Sequence, residues 1–143
     1  MENLFPKHQS IERQFDLKGC TYGRRQKETG ATGFELNLME YTGGSPLFLT
    51  PAAKAKFNMA VRQDTAFLQE LQVVDYSLLI GVDSESGQLL VGIVDYCREF
   101  SFGLRLYGGV TGGRTIVAPK DYRTRFCEQM DRFLMHVPGP EDT

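Results

Sequence analysis

VDYSLLIGVDSESGQLLVGIVDY, residues 74–96, contains two apolar runs, each bordered by an Asp-Tyr pair, on either side of a polar turn. Residues 75–82 and 88–95 read as strands, being rich in Leu, Ile and Val between turn residues. Asp83-Ser84-Glu85-Ser86-Gly87 has the chemistry of a tight reversal. If Asp83 faces Gly87, the register carries Asp75 opposite Asp95; a four-residue loop shifts it by one. Side chains of directly opposed residues lie about 5 Å apart at Cβ, where like charges repel. A cation between the two carboxylates, a proton on one of them, or splayed strand ends would relieve this. A divalent metal with a phosphate suits the first case. The other reading is that both aspartates merely end strands.

Outward from the hairpin, IERQFDL at 11–17 alternates as a strand does, and KGCTYGRRQK at 18–27 follows as a basic loop with four cations and no carboxylate. Such a loop is either a solvated turn or an anion-binding segment. Residues 31–50 read as irregular, broken at Gly43-Gly44-Ser45-Pro46. Thr50 and Pro51 then cap and open a helix that runs to about Gln72. Its apolar stripe is Ala53, Phe57, Ala60, Phe67, Leu68 and Leu71, with Asp64 on the same face and therefore in need of a partner. Residues 100–113 are glycine-rich and match neither a Walker loop nor a dinucleotide fingerprint. A short strand, RTIVA at 114–118, leads to a last helix opened by Pro119, striped by Tyr122, Phe126, Met130 and Phe133, and stopped by Pro138.

The 143 residues suit one domain or a large part of one, with enough apolar content for a core. A net charge of -2 offers no global field for nucleic acid or anionic lipid, so any such attraction is local. Cys20, Cys97 and Cys127 are widely spaced and odd in number, and His8 and His136 are isolated. That pattern argues against a disulfide framework or a structural zinc site and for a cytosolic compartment. No apolar run approaches the roughly 20 residues of a membrane span.

Three ordered motifs go further. FDLKG at 15–19, DYSLLIG at 75–81 and VGIVDY at 91–96 resemble the signature segments of the phosphatidylinositol phosphate kinases. MENLF, DTAFLQEL and DYRTRFCEQMDRF fall in matching order, and LLVGIVDYCREFSF is similar to the phosphatidylinositol 3-phosphate 5-kinase branch. The resemblance implies an α+β fold: the C-terminal lobe of a protein-kinase-related domain over residues 1–138, with an antiparallel hairpin, packed helices and a frayed tail at 139–143. It implies ATP-dependent phosphorylation of a phosphatidylinositol monophosphate, from the 3-phosphate to the 3,5-bisphosphate. The alternatives are an inactive fragment, a phosphoinositide-binding module, or a 4-phosphate 5-kinase.

By the same resemblance, Asp75 is the catalytic carboxylate for the inositol hydroxyl, Lys18 is also catalytic, and Asp95 is the Mg2+ ligand. Lys18, Arg24 and Arg105 face lipid phosphate, and Arg25 and Lys27 add attraction to an anionic membrane. Met1, Glu2 and Asn3 match the hinge that meets the adenine of ATP. In the family a glycine-rich N-terminal lobe precedes that hinge, so the sequence reads as the C-terminal lobe alone, partnered by an N-terminal lobe from the same or another chain. The implied setting is cytoplasmic, peripheral to membranes and endosomal, with no nucleic acid. Departures from the pattern are Cys20 for the usual Ser, Val74 for Met, and Leu104-Arg105-Leu106-Tyr107 where the family carries a Lys-Lys pair.

Overall fold

In the computed structural model, which describes Phe5 and residues 10–101 and 117–138, the hairpin forms as β4 (Ser77–Asp83) and β5 (Gln88–Val94). Asp83 faces Gln88, so the loop has four residues and the register is the shifted one. The Asp83 carboxylate accepts the N–H groups of Glu85 and Ser86, each at 3.1 Å, which shapes that turn. β1 (Ile11–Leu17) lies antiparallel on the other side of β4, giving the order β1-β4-β5. As the middle strand, β4 is buried on both faces, and this explains its unbroken SLLIGV run.

Helix α1 (Glu35–Tyr41) and strand β2 (Leu47–Leu49) occupy the stretch read from sequence as irregular. The strand β2 pairs in parallel with β7 (Leu134–His136), a contact between segments far apart in the chain. α2 (Pro51–Glu70) begins as the sequence indicates, with the Thr50 side chain accepting the Ala53 N–H at 3.2 Å. Its buried face is Phe57, Val61, Thr65 and Leu68. Ala53, Ala60, Phe67 and Leu71 are exposed, correcting the expected stripe, and Asp64 is exposed and needs no buried partner. α3 (Pro119–Phe133) buries Tyr122, Phe126 and Met130, while Phe133 is only partly covered. It ends at Phe133, five residues before Pro138, because Leu134 turns extended to join β2. Strands β3 (Val73–Val74) and β6 (Arg98–Glu99) form a further antiparallel pair. The expected strand at 114–118 lies largely outside the described residues; Val117 and Ala118 are not in a strand. Among the described residues the result is a mixed α+β architecture with an antiparallel sheet and three helices.

One core joins Phe15 and Leu17 of β1, Leu78 and Ile80 of β4, Phe57 and Val61 of α2, and Tyr122, Phe126 and Met130 of α3. Tyr76 sits at its centre, edge-on to Tyr122 at 4.7 Å and to Phe126 at 5.0 Å between ring centroids. Gly19 allows the basic loop to press against α3. Its φ is +82°, and a Cβ there would lie 2.9 Å from the Phe126 Cα, which is backbone and cannot yield. Gly19→Ala therefore lowers the unfolding free energy by about 2 kcal/mol or more. Gly92→Ala, on β5 with open space around the new methyl group, changes it by less than about 0.5 kcal/mol. Urea denaturation of both variants checks this pair.

Candidate active site

Leu17↔Leu78 and Ser77↔Val94 are the last pairs at one end of the three-stranded sheet. Just beyond that end come Lys18, the Asp75-Tyr76 pair and Asp95. The ladder then resumes at Val74↔Arg98, so Asp75 and Tyr76 on one side face Asp95, Tyr96 and Cys97 on the other. This bulge separates the two Asp-Tyr pairs. Tyr76 is 1% exposed and Tyr96 is 60% exposed, so the first pair is anchored and the second is open to solvent. Asp75 and Asp95 both adopt positive φ, 64° and 58°. Aspartate is among the few residues that tolerate this conformation, which costs about 1 kcal/mol and gathers at functional sites.

The Asp75 carboxylate is bracketed by cations. Lys18 Nζ lies 3.1 Å from Oδ1 and also donates to the Asp75 carbonyl oxygen. Arg98 Nη1 lies 3.3 Å from Oδ2. Cations thus compensate Asp75, and the shifted register does not set it directly opposite Asp95. Beneath, the Tyr122 hydroxyl donates to the Tyr76 carbonyl oxygen. Burial raises the Tyr122 pKa, as does the charge of Asp75, so the hydroxyl stays a donor. Asp95 is exposed, and among the described residues its carboxylate makes no ion pair. A free, hard oxygen donor suits magnesium, which takes one or two carboxylates and leaves its other positions to water and phosphate. Among the described residues no group of three or more His, Cys, Asp or Glu side chains forms a metal cage.

The basic loop is organised by Glu35, whose side chain is 0% exposed. It accepts the backbone N–H of Lys18, that of Gly19 at 3.0 Å, and Arg24 Nε at 2.8 Å. Arg24 Nη2 also donates to the Asp16 carbonyl at 2.7 Å and to its Oδ1 at 2.9 Å, and the guanidinium lies 4.1 Å from the Phe34 ring centroid. Burial works against the Arg24 charge, but Glu35 and then Asp16 more than offset it, leaving its pKa raised. The loop backbone locks onto α1 as well: Leu36 N–H donates to the Arg24 carbonyl, and the Asn37 side chain accepts from Gln26 and donates back to it. Cys20, in the place of the family's usual serine, is half-buried, and burial pushes its thiol pKa up.

Of the residues singled out from sequence, the structure brings Lys18 and Asp75 into contact and sets Asp95 at the same end of the sheet. It places Arg24 beneath the loop in bonds to Glu35 and Asp16. Met1, Glu2, Asn3 and Arg105 lie outside the described residues. Glu35, Asp16 and Arg98 escaped the sequence reading. The only signal for Glu35 was a carboxylate in the largely apolar GFELNLM stretch soon after a run of cations.

Removing one partner of a buried ion pair leaves the other charge stranded. Glu35→Ala should cost about 3–5 kcal/mol. Arg25→Ala, which breaks only the exposed pair with Glu40, should cost less than about 0.5 kcal/mol. Denaturant midpoints of the two variants check the contrast.

Comparison with known proteins gives this geometry a family. Residues 1–90 match the family model described as Phosphatidylinositol-4-phosphate 5-Kinase. The chain is 37% identical to the Homo sapiens 1-phosphatidylinositol 3-phosphate 5-kinase, over 96% of this chain and 7% of that protein. It is 38% identical to the Saccharomyces cerevisiae 1-phosphatidylinositol 3-phosphate 5-kinase FAB1, over 98% of this chain and 7% of the relative. A putative 1-phosphatidylinositol-3-phosphate 5-kinase of Arabidopsis thaliana, FAB1C, is 37% identical over 98% of the chain and 9% of its own length. The chain thus spans less than a tenth of the length of these relatives. The resemblance drawn from FDLKG, DYSLLIG and VGIVDY holds across more than half of the sequence, and the chain belongs to the phosphatidylinositol-4-phosphate 5-kinase family.

Proposed function

We propose that this chain carries the lipid-side machinery of an ATP-dependent phosphatidylinositol monophosphate kinase, converting the 3-phosphate to the 3,5-bisphosphate. The observation that carries this reading is the meeting of Lys18, Asp75 and Asp95 at one end of β1-β4-β5. Phosphoryl transfer asks little covalent chemistry of a protein; it requires an oriented hydroxyl and opposite charge around the phosphate. Asp75 orients the attacking inositol hydroxyl and accepts its proton. Lys18 pairs with that carboxylate, donates to the Asp75 carbonyl oxygen, and keeps donor capacity for phosphate. Asp95 would hold magnesium, which neutralises charge on the nucleotide phosphates when bound.

Arg24 keeps the loop in place, as its bonds to Glu35 and Asp16 support, and Arg105 faces lipid phosphate with Lys18. Arg25 and Lys27, both exposed, draw the loop to an anionic membrane surface on the cytoplasmic, endosomal side. Met1, Glu2 and Asn3 meet the adenine, and the grip on the ATP phosphates comes from an N-terminal lobe in the same or another chain. No helix among the described residues is long and apolar enough to cross a membrane.

A chimera tests this. The matched region of the yeast relative is replaced by this chain, and vesicles containing the 3-, 4- or 5-monophosphate are offered with magnesium and labelled ATP. The expected result is labelled 3,5-bisphosphate from the 3-monophosphate, reduced by about 10²–10⁴-fold in Asp75→Asn. A folded chimera that makes no product, or one indifferent to Asp75→Asn, contradicts the reading.

A further inference from the structure

Among the described residues, Lys18, Arg24 and Arg98 stand near this end of the sheet, and they differ in what they have left to give. Arg24 is 12% exposed, and its Nε and Nη2 are held by Glu35 and Asp16. Lys18 is 15% exposed, pairs with the Asp75 carboxylate at 3.1 Å and donates to the Asp75 carbonyl oxygen. Arg98 is 49% exposed and touches Asp75 through a single contact of 3.3 Å from Nη1 to Oδ2. No other contact of its guanidinium is seen among the described residues, and half of the side chain is open to solvent.

The backbone that carries Arg98 is not loose. β6 pairs with β3 at Val74↔Arg98, and the Phe100 N–H donates to the Gln72 carbonyl at 2.7 Å just after it. Between the pairs Ser77↔Val94 and Val74↔Arg98, two residues stand against three, and Arg98 is the first paired residue beyond them. A guanidinium on a fixed strand, half-exposed and bound to a carboxylate by one long contact, is poised to exchange partners. A phosphate offers it two parallel charge-assisted bonds in place of one.

We propose that Arg98 is a phosphate-binding residue of this site, and that binding phosphate draws it off Asp75. The ligand class is a terminal phosphate group, supplied by the inositol ring or by the nucleotide. The exchange frees Oδ2 of Asp75 to accept a hydrogen bond from the substrate hydroxyl, so the carboxylate becomes available only when phosphate is present. Lys18 keeps Oδ1 and holds the carboxylate in place meanwhile. This rests on the kinase reading for its biological setting, but not for its test.

The test is binding, without turnover. Soluble inositol 1,3-bisphosphate and ATP are titrated separately into the purified chain by calorimetry, for the wild type, Arg98→Ala, Arg98→Lys and Asp75→Asn. Arg98→Ala should weaken one of the two probes by about 10-fold or more, the scale of a charged hydrogen bond; the probe that weakens identifies the source of the phosphate. Arg98→Lys should fall between, because lysine keeps the charge but not the fork. Asp75→Asn should tighten the same probe several-fold by removing the competitor for Arg98, an outcome that simple loss of structure cannot produce. Unchanged affinities in Arg98→Ala, weakening in Asp75→Asn, or no saturable binding of either probe would overturn the proposal. An inactive chimera alongside intact, Arg98-dependent binding would sink the kinase reading and leave this one standing. An active chimera with Arg98-independent binding would do the reverse.

Discussion

The contact between Lys18 and Asp75 ties the exit of β1 to the entrance of β4, and the arrangement of the site hangs on it. Leu17 faces Leu78 in the ladder. The next residue along β1 and the residue two places before β4 are therefore brought to the same end of the sheet. β5 ends beside them, and Asp95 follows its last pair. Antiparallel pairing alone converts three distant stretches of sequence into one cluster. It also answers why a carboxylate opens the first apolar run and another closes the second: both stand at the mouth of the same hairpin.

Holding charged groups near a core has a structural cost, and the surrounding residues meet it in different ways. Glu35 is fully buried and is satisfied by two backbone N–H groups and a guanidinium. That carboxylate converts a run of repelling cations into an ordered loop. Asp75 is anchored from below by Tyr76, which is packed between Tyr122 and Phe126. Asp95 has neither support; it is exposed beside an exposed tyrosine. The two carboxylates thus differ in their surroundings. One is held rigid by counter-charges, and the other is free to bind a hard cation.

Much of this was legible in residue order, and the exceptions have physical causes. Thr50-Pro51 marks its helix start locally, and FDLKG and DYSLLIG carry strand pattern and chemistry together. By contrast α1 is a seven-residue helix, too short for periodicity to declare itself, and its N-cap is Phe34, which has no capping oxygen. β2 and β7 are three-residue strands that exist only because each meets the other. The face of α2 was misjudged because Thr65 is buried in the stripe, its hydroxyl donating to the Val61 carbonyl at 2.6 Å, whereas Phe67 is left outside. Arg98 gave no signal from sequence. Its meaning comes from β3-β6 pairing after a bulge, and a two-residue ladder leaves no pattern to read.

The claim that Lys18, Asp75 and Asp95 form one nucleotide- and metal-dependent site can be tested most directly with manganese(II) and ATP. Manganese serves as a paramagnetic stand-in for magnesium in a chain with assigned backbone resonances. The hairpin supplies its own control, since Asp83 and Glu85 lie at the opposite end of seven-residue strands, roughly 20 Å away. The account predicts line broadening strongest at Asp95, reaching Asp75 and Lys18 and sparing Asp83 and Glu85. Broadening centred on the Asp83–Gly87 turn, or absent from Asp95, would contradict it.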